Sequence, residues 1–292
     1  MKILLFSRQR SAHVASEVRQ MFEAIEQFGF DYAVNEEFAP RVEELTGLKI
    51  DAAHRYGTPM KPQPKESVLL CYGGDGTLLD GIHCLNGAEI PVVGINSGHM
   101  GFLASVPQNG IREIFDEIRD GKLQYESRSM LEVTGDFGNG ITTRYAVNEV
   151  GIQRQGAGMI AVETYVDGQM VATYHGDGLL VSTPTGSTAY SLSVGGPVMA
   201  PQCACMILSP IASHNLTMRP VVIPDSCEIQ LRAHARQAEM VVSADNEISH
   251  ISEGASFTIK RAHRRFFLAV SHNISFYDTL RNKMMWGVDI RS

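Results

Sequence analysis

The feature that most constrains the fold is a glycine-rich turn placed directly after an apolar run. Residues 68–72 (Val-Leu-Leu-Cys-Tyr) form a continuous apolar segment of the kind that is buried on both faces of a parallel sheet. Residues 73–77 (Gly-Gly-Asp-Gly-Thr) follow at once, and the spacing beyond them predicts a helix over about 77–85. Glycine permits a tight turn, and the N-terminus of the helix that follows attracts anions. The pattern therefore predicts a strand, a turn and a helix, with a phosphate site at the turn.

The first half of the chain repeats this alternation of strands and helices. Apolar strands are predicted at 3–6, 32–34 and 91–95, while residues 14–25 and 111–118 carry apolar side chains at helical spacing. Alternating strands and helices predict a Rossmann-like α/β domain with a parallel sheet, which we place at 1–125. The stretch from 36 to 66 is less regular, and its prolines at 59, 62 and 64 predict a loop in the latter part. That stretch is either a flap over the cleft or a surface insertion.

After about residue 125 the pattern changes to short β-rich runs. Strands are predicted at 144–153 and 160–166, and Asp167-Gly168 is a hairpin turn signal. We therefore predict an all-β C-terminal domain at 126–271. Helix-like spacing returns near the end, so a C-terminal segment at 272–292 is predicted to pack back on the first domain.

Composition excludes several classes of function. The net charge is −7, and the one basic run, at 260–265, is short and precedes an apolar run, so no nucleic-acid partner is expected. No stretch reaches the roughly 20 apolar residues of a membrane span, and the N-terminal apolar run is too short for a signal peptide. The five cysteines include no CxxC pair, which predicts reduced thiols, no structural zinc and a cytoplasmic location.

The carboxylate of Asp75 is the unusual group in the glycine turn, because an anion beside a phosphate site repels the ligand. It is explained if Asp75 binds a metal ion or accepts the proton of an attacking hydroxyl. The plain alternative is an Asp at the cap of an ordinary strand-to-helix turn. Neither the Walker A pattern nor the dinucleotide fingerprint G-x-G-x-x-G is present. The turn thus indicates a nucleotide kinase outside the two commonest classes.

Residues 73–77 resemble a motif shared by NAD kinases, by diacylglycerol and sphingosine kinases and, more loosely, by phosphofructokinases. Further segments resemble NAD kinases alone. These segments are a loop signature at 94–103, the pair Asn148-Glu149, a glycine- and hydroxyl-rich motif at 176–178 and 183–191, and a C-terminus at 280–287. The resemblance covers nearly the whole chain, whereas a lipid kinase would share only the first motif.

The resemblance to NAD kinases implies a reaction. The γ-phosphoryl group of ATP, or of inorganic polyphosphate, would pass to the 2′-hydroxyl of the adenosine ribose of NAD, and Asp75 would accept the hydroxyl proton. Asp75 as a metal ligand stays open as a competing role. A divalent ion, Mg²⁺ by default, would bridge the donor phosphates, and a homodimer or homotetramer is the expected assembly.

The resemblance also implies the binding residues, and no residue is assigned as a metal ligand. Asn148 and Glu149 would hold a ribose, while Asp177 would reach the nicotinamide end, often across a subunit interface. His175 stands where many bacterial members carry Arg and would bear on the choice between NAD and NADH. The family's Asp-Gly-Gln turn is replaced by Asp245-Asn246-Glu247. The full predicted binding set is Gly74, Gly76, Thr77, Asn96, Phe102, Asn148, Glu149, His175, Asp177, Thr185, Thr188, Ala189, Tyr190 and Ser193.

Other interpretations remain at this stage. A lipid kinase of the diacylglycerol type would share the first motif and would need an apolar or basic surface for the membrane. A non-catalytic NADP-binding protein on the same fold would be favoured by loss of the aspartate in the glycine turn, but Asp75 is present. Tyr190 and Phe102 could equally be core aromatics, and residues 184–188 could be an ordinary loop.

Overall fold

The computed structural model describes residues 1–9, 11, 13–98, 101–104, 106–138, 140–236, 238–270 and 275–287. These residues form two compact units, one made of Met1–Ser127 with Phe266–Ser292 and the other of Arg128–Arg265. His99 and Met100 of the predicted loop signature lie outside the described residues, as do 271–274 and 288–292 of the predicted C-terminal segment.

The first unit is built on a parallel sheet. Its strands are β1 (Lys2–Phe6), β2 (Asp31–Asn35), β3 (Arg55–Tyr56), β4 (Ser67–Tyr72) and β5 (Pro91–Ile95). They lie in the order β5-β4-β1-β2-β3, and each neighbouring pair is parallel. Every residue of β4 is buried, as expected for an apolar strand covered on both faces. The predicted α/β unit with a parallel sheet is confirmed.

Four helices accompany this sheet: α1 (Ala15–Phe28), α2 (Ala39–Thr46), α3 (Asp75–Cys84) and α4 (Ile111–Arg119). In α1 the residues Val18, Met21 and Ile25 are buried, which is the spacing of one helix face. Gly29 ends α1 in the left-handed conformation with φ 65°, as its position in the sequence predicts. Apolar residues of α1, α2 and α4 join those of β1 and β4 in one core.

The stretch from 36 to 66 differs from the prediction. It contains α2 and β3, and the side chains of Phe38, Val42 and Ile50 are buried in the core. A flap or surface insertion is therefore the wrong description of its first part. Pro40 lies in the first turn of α2, where proline is tolerated. Residues 61–66 form neither helix nor strand, in agreement with the loop predicted there.

The second unit is almost entirely β, which confirms the predicted all-β domain. It contains a short helix, α5 (Tyr190–Ser193). Its strands are β6 (Gln124–Gly135), β7 (Thr143–Ala146), β8 (Glu149–Gln155), β9 (Ile160–Val166), β10 (Gln169–Gly176), β11 (Gly178–Ser182), β12 (Cys205–Ile211), β13 (Val221–Pro224), β14 (Ile229–Ala235), β15 (Glu239–Ala244), β16 (Glu247–Ile251) and β17 (Ser256–Val270). The boundaries between the two units fall inside β6 and β17.

Two sheets supply the core of the second unit. One is antiparallel throughout, in the order β13-β12-β11-β8-β15-β16. The other contains β10-β9-β14-β17, where β6 pairs with β17 and β7 pairs with β6. Asp167 and Gly168 have φ values of 50° and 76° between β9 and β10. That conformation belongs to a two-residue hairpin turn and confirms the predicted one.

The last described helix, α6 (Phe276–Met284), belongs to the first unit. Ser275 begins it with a capping box, because its hydroxyl accepts the Asp278 N–H while Asp278 accepts the Ser275 N–H. Leu280 is buried, and the Phe276 ring lies 6.5 Å from that of Phe102. None of the described helices has the length and apolar character to cross a membrane.

Candidate active site

The glycine turn puts Asp75 at the first position of α3. Gly74 is the cap of this helix, so α3 begins two residues before the predicted start at Thr77. Gly73 has φ 156°, and a Cβ on it would lie 2.5 Å from Thr77 Oγ1. Only glycine fits there. The Thr77 side chain is buried beneath the turn, with its hydroxyl oxygen 3.3 Å from that of Ser11.

The carboxylate of Asp75 is held by three successive backbone N–H groups. Oδ1 accepts from Leu103 at 3.1 Å and from Ala104 at 2.9 Å, and Oδ2 accepts from Phe102 at 2.9 Å. A Cβ on Gly101 would lie 1.8 Å from Oδ1, so this close approach requires glycine. The Asp75 side chain is still 31% exposed. It is therefore fixed in orientation and open to a ligand.

Asn96 organises the loop that grips Asp75. Its Oδ1 accepts the Gly98 N–H at 2.7 Å, and its own N–H donates to the Val106 carbonyl at 2.9 Å. Gly94 lets the two sides of the loop touch, since a Cβ there would lie 2.6 Å from Ala104 Cα. The Asn96 side chain is buried, and its hydrogen bonds hold the shape of this loop. Phe102 is partly buried at the edge of the loop.

Among the residues that the structure describes, Lys283 and Arg8 place cations beside the glycine turn, and neither was among the site residues predicted from the sequence. Lys283 Nζ is 3.7 Å from Asp75 Oδ2 and 4.7 Å from the centroid of the Phe102 ring. Arg8 pairs with Asp80, and its Nη1 lies 2.9 Å from the Cβ position of Gly76. Positive charge at this turn favours an anionic ligand.

In the second unit, Asn148 and Glu149 lie where β7 gives way to β8. The carboxylate of Asp245 accepts the backbone N–H groups of Val147 at 2.7 Å, Asn148 at 2.8 Å and Glu149 at 3.1 Å. These three donors point to Asp245, and the strand ladder is interrupted. The continuous strand predicted over 144–153 is therefore wrong. Asp245 itself has φ 49° in the turn between β15 and β16, a conformation that Asp tolerates better than most residues.

Glu149 carries a buried oxygen with an unused hydrogen-bonding capacity. Oε2 has no hydrogen-bond partner among the described residues. Burial, followed by the negative charge of Asp245, raises the pKa of Glu149 to about 8, and the Tyr190 N–H opposes this in part. The side chain is thus protonated at neutral pH and can both donate and accept. Buried polar groups of this kind need a partner, and a ribose hydroxyl would supply one.

The hydroxyl-rich loop packs directly on the backbone of Asn148. Thr183 Oγ1 donates to the Val147 carbonyl at 2.6 Å and accepts the Gly186 N–H at 3.0 Å. A Cβ on Gly186 would lie 2.1 Å from the Asn148 carbonyl oxygen. This contact brings the predicted residues of the loop to the Asn-Glu pair. Of these, Thr185 is buried, Thr188 and Ala189 are partly exposed, and Tyr190 and Ser193 are exposed.

Asp177 and His175 come before β11, at the end opposite the hydroxyl-rich loop. Arg154 binds Asp177 through two contacts, Nε to Oδ1 at 2.6 Å and Nη2 to Oδ2 at 3.2 Å. His175 is exposed near the end of β10. Arg154 was not among the predicted site residues. It lies in β8, next to Gln153, which pairs with Gly178 of β11, and no local sequence pattern reveals this pairing.

Comparison with known proteins places the chain in one family. Residues 3–123 match the model of the ATP-NAD kinase N-terminal domain, and residues 147–270 match that of the ATP-NAD kinase C-terminal domain. A protein of Christiangramia forsetii named NAD kinase is 34% identical, over 100% of both chains.

Two solved structures share the fold. One is the yeast NADH kinase in complex with NADH, with a TM-score of 0.87 at 18% identity, covering 100% of this chain and 89% of that one. The other is an NAD kinase from Archaeoglobus fulgidus in complex with ATP, with a TM-score of 0.72 at 23% identity, covering 98% of this chain and 99% of that one. The family models span both predicted domains, and the curated relative matches from end to end. The chain belongs to the NAD kinase family.

Proposed function

We propose that this protein transfers the γ-phosphoryl group of ATP, or of inorganic polyphosphate, to the 2′-hydroxyl of the adenosine ribose of NAD, which gives NADP. The observation that carries the proposal is the carboxylate of Asp75, held by three backbone N–H groups and open to a ligand at the start of α3. A kinase needs such a fixed acceptor for the proton of the attacking hydroxyl.

The chain's own groups can accept the proton of the hydroxyl and leave room for the phosphate to approach. The acceptor hydroxyl gives its proton to Asp75 while its oxygen forms a bond to the γ-phosphorus. The bond from that phosphorus to the bridging oxygen breaks, and ADP leaves with the electron pair. Gly74 and Gly76 carry no side chain that would block the phosphate, and the first turn of α3 directs its dipole toward the phosphate.

A divalent cation fits this donor set. No three His, Cys, Asp or Glu side chains cluster among the described residues, and Asp75 is the carboxylate at the turn. Mg²⁺ suits such a site, because it retains water and binds through one or two carboxylates together with substrate phosphates. When bound, it would neutralise charge on the donor phosphates. If Asp75 were a metal ligand rather than the proton acceptor, its replacement would change the Mg²⁺ concentration needed for half-maximal rate.

The dinucleotide is proposed to bind to the second unit, and Phe102 keeps its predicted place in the binding set. Glu149 would use its unpartnered oxygen for a ribose hydroxyl beside Asn148. The adenosine part would contact Thr188, Ala189 and Tyr190, and Asp177 would contact the nicotinamide end. Thr185, Ser193, Asn96 and Thr77 complete the proposed set, with His175 bearing on NAD against NADH. A homodimer or homotetramer in the cytoplasm belongs to the same proposal, and light scattering of the pure protein would test the assembly.

The alternatives receive less support. A lipid kinase would share the glycine turn, but the family models match 147–270 as well as 3–123. A non-catalytic NADP-binding protein would not need a carboxylate gripped by a dedicated loop, as Asp75 is.

The test is an assay of the pure protein with either NAD or NADH as acceptor, and with either ATP or polyphosphate as donor, in the presence of Mg²⁺. We expect phosphorylation of NAD at the adenosine ribose, detected by an NADP-specific dehydrogenase. Absence of product from all four combinations would remove the proposed reaction, while product from NADH alone would reverse the proposed acceptor.

A further inference from the structure

The C-terminal helix α6 presents one side chain to the glycine turn in a fixed register. The capping box at Ser275 sets the first turn, with the Ser275 N–H donating to Asp278 at 2.9 Å. Phe276, Leu280 and Lys283 follow at i, i+4 and i+7, so they share one face of the helix. Phe276 lies 6.5 Å from the Phe102 ring, and Leu280 is buried. These anchors determine where Lys283 points.

Lys283 contacts both the Asp75 carboxylate and the loop that holds it. Its ammonium is 3.7 Å from Asp75 Oδ2, the oxygen that accepts the Phe102 N–H, and 4.7 Å from the Phe102 ring centroid. A separation of 3.7 Å exceeds the range of a hydrogen bond, so the attraction is Coulombic. Among the described residues no oxygen accepts a hydrogen bond from Lys283, and its side chain is 37% exposed. The ammonium is thus held at the carboxylate with its donors available.

We propose that Lys283 is a positioning residue that acts through Asp75. Protonation of Asp75 during phosphoryl transfer leaves the positive charge of Lys283 unbalanced, so the turn becomes more positive. The inference rests on the proposed function. In the resting enzyme the pair of Asp75 and Lys283 is neutral, which removes the repulsion that an isolated carboxylate would exert on an incoming phosphate. When Asp75 takes the hydroxyl proton, the positive charge of Lys283 is no longer balanced.

The timing of that change matches the chemistry. The 2′-oxygen forms its bond to the γ-phosphorus as its proton reaches Asp75, and the bridging oxygen leaves with the electron pair. Negative charge is then spread over the phosphoryl oxygens and the leaving group. A cation that becomes uncompensated at this moment stabilises the transition state more than the ground state, which is the condition for raising kcat.

A simpler role for Lys283 is packing. An exposed ion pair contributes little to stability, and a lysine over an aromatic ring can act through its aliphatic stem alone. The two roles separate under substitution, because methionine keeps most of the stem and loses the charge. Arginine keeps the charge in a different shape.

The experiment measures kcat and KM for NAD and ATP in K283M, K283R, D75N and the double variant D75N/K283M. Arg281→Gln is the matched control, since Arg281 lies on the same helix and pairs with Asp278 instead.

We expect K283M to lower kcat by about 10²-fold, the loss typical of removing one preorganised charge-stabilising group, and to change KM for NAD by less than about threefold. K283R should recover at least about tenfold of this loss, and R281Q should match the wild type. In the D75N background, K283M should lower kcat by less than about threefold, because the two groups act as a unit.

Thermal unfolding of each variant decides whether a loss comes from the fold. If K283M melts below the assay temperature, K283Q replaces it in the same set. A K283M or K283Q variant with wild-type kcat would overturn the inference, and so would a loss that K283R does not relieve. A double variant whose losses multiply would overturn it as well, since Lys283 would then act independently of Asp75. None of these outcomes touches the proposed function, which depends on NADP formation by the wild-type protein.

Discussion

Glu149 donates its backbone N–H to Asp245 Oδ1 over 3.1 Å, while the negative charge of Asp245 helps to keep the Glu149 carboxyl protonated. One aspartate thus places the Asn-Glu pair and adds to burial, the larger cause, in raising the pKa of its glutamate. A protonated Glu149 offers a hydroxyl donor as well as an acceptor to a sugar hydroxyl.

Protonation of Glu149 makes the stability of the protein depend on pH. The pKa of Glu149 is raised from 4.5 to about 8 in the folded state, so the folded chain binds a proton that the unfolded chain has released. The stability from this proton is fully present below pH 4.5 and is lost as pH rises toward 8, at about 1.4 kcal/mol per pH unit within that window. Gln at position 149 does not titrate. Urea unfolding at pH 6, 7 and 8 should therefore show the wild type losing stability relative to E149Q as pH rises.

Asp120 provides the control for that experiment. Hydrogen bonds from the side chains of Arg119 and Lys122 lower the pKa of Asp120 to about 2, so this carboxyl is ionised throughout the range from pH 6 to 8. Because its partners are an arginine and a lysine, the difference between the wild type and D120N should stay constant over that range. A constant difference between the wild type and E149Q would refute the assigned protonation of Glu149.

Removal of the Asp245 side chain should loosen the backbone of residues 147–149. D245A leaves three backbone donors without their acceptor, and each buried unsatisfied donor costs about 1–3 kcal/mol. We expect a loss of at least about 3 kcal/mol in the free energy of unfolding, together with a raised KM for NAD. D245N keeps one carbonyl oxygen and should fall between the wild type and D245A in urea unfolding. Equal stability of D245A and the wild type would show that these hydrogen bonds are dispensable.

A methyl group at Gly101 should displace the Asp75 carboxylate. A Cβ there would lie 1.8 Å from Asp75 Oδ1, so G101A forces the loop or the carboxylate to move. Misplacement of a catalytic group by about 1 Å can cost about 10²-fold in rate, and we expect a fall of that size in kcat. G98A is the matched control, because a Cβ on Gly98 meets none of the described residues within 4 Å. Steady-state kinetics that find G101A and G98A equally active would mean that the loop does not fix Asp75.

The sequence could predict the elements that depend on neighbouring residues. The strand β4, the turn at Gly73 and the helix α3 follow from a local pattern, as does the hairpin at Asp167. The helix α2 was not predicted, because its eight residues are too few to show a clear periodic apolar pattern.

The arrangement of the candidate site depends on contacts between distant parts of the chain, which a local sequence pattern does not reveal. The break before Glu149 is caused by Asp245, which lies 96 residues further along the chain. Asp75 could be singled out as a lone anion, but its three N–H donors are 27 to 29 residues away, and its cation Lys283 comes from the last helix. Residue types revealed candidates for chemistry, and only the fold showed what orients each one.

The most direct test of the catalytic role of Asp75 compares Asp75→Asn with the wild type in a single turnover at saturating NAD, ATP and Mg²⁺. Asparagine keeps a carbonyl oxygen for the N–H groups of Leu103 and Ala104 but accepts a proton far less readily. We expect NADP formation to slow by about 10²- to 10⁴-fold, the usual contribution of a positioned base. The Kd for NAD, measured by calorimetry, should change by less than about threefold. A variant that forms NADP at the wild-type rate would contradict the assignment of Asp75 as the proton acceptor.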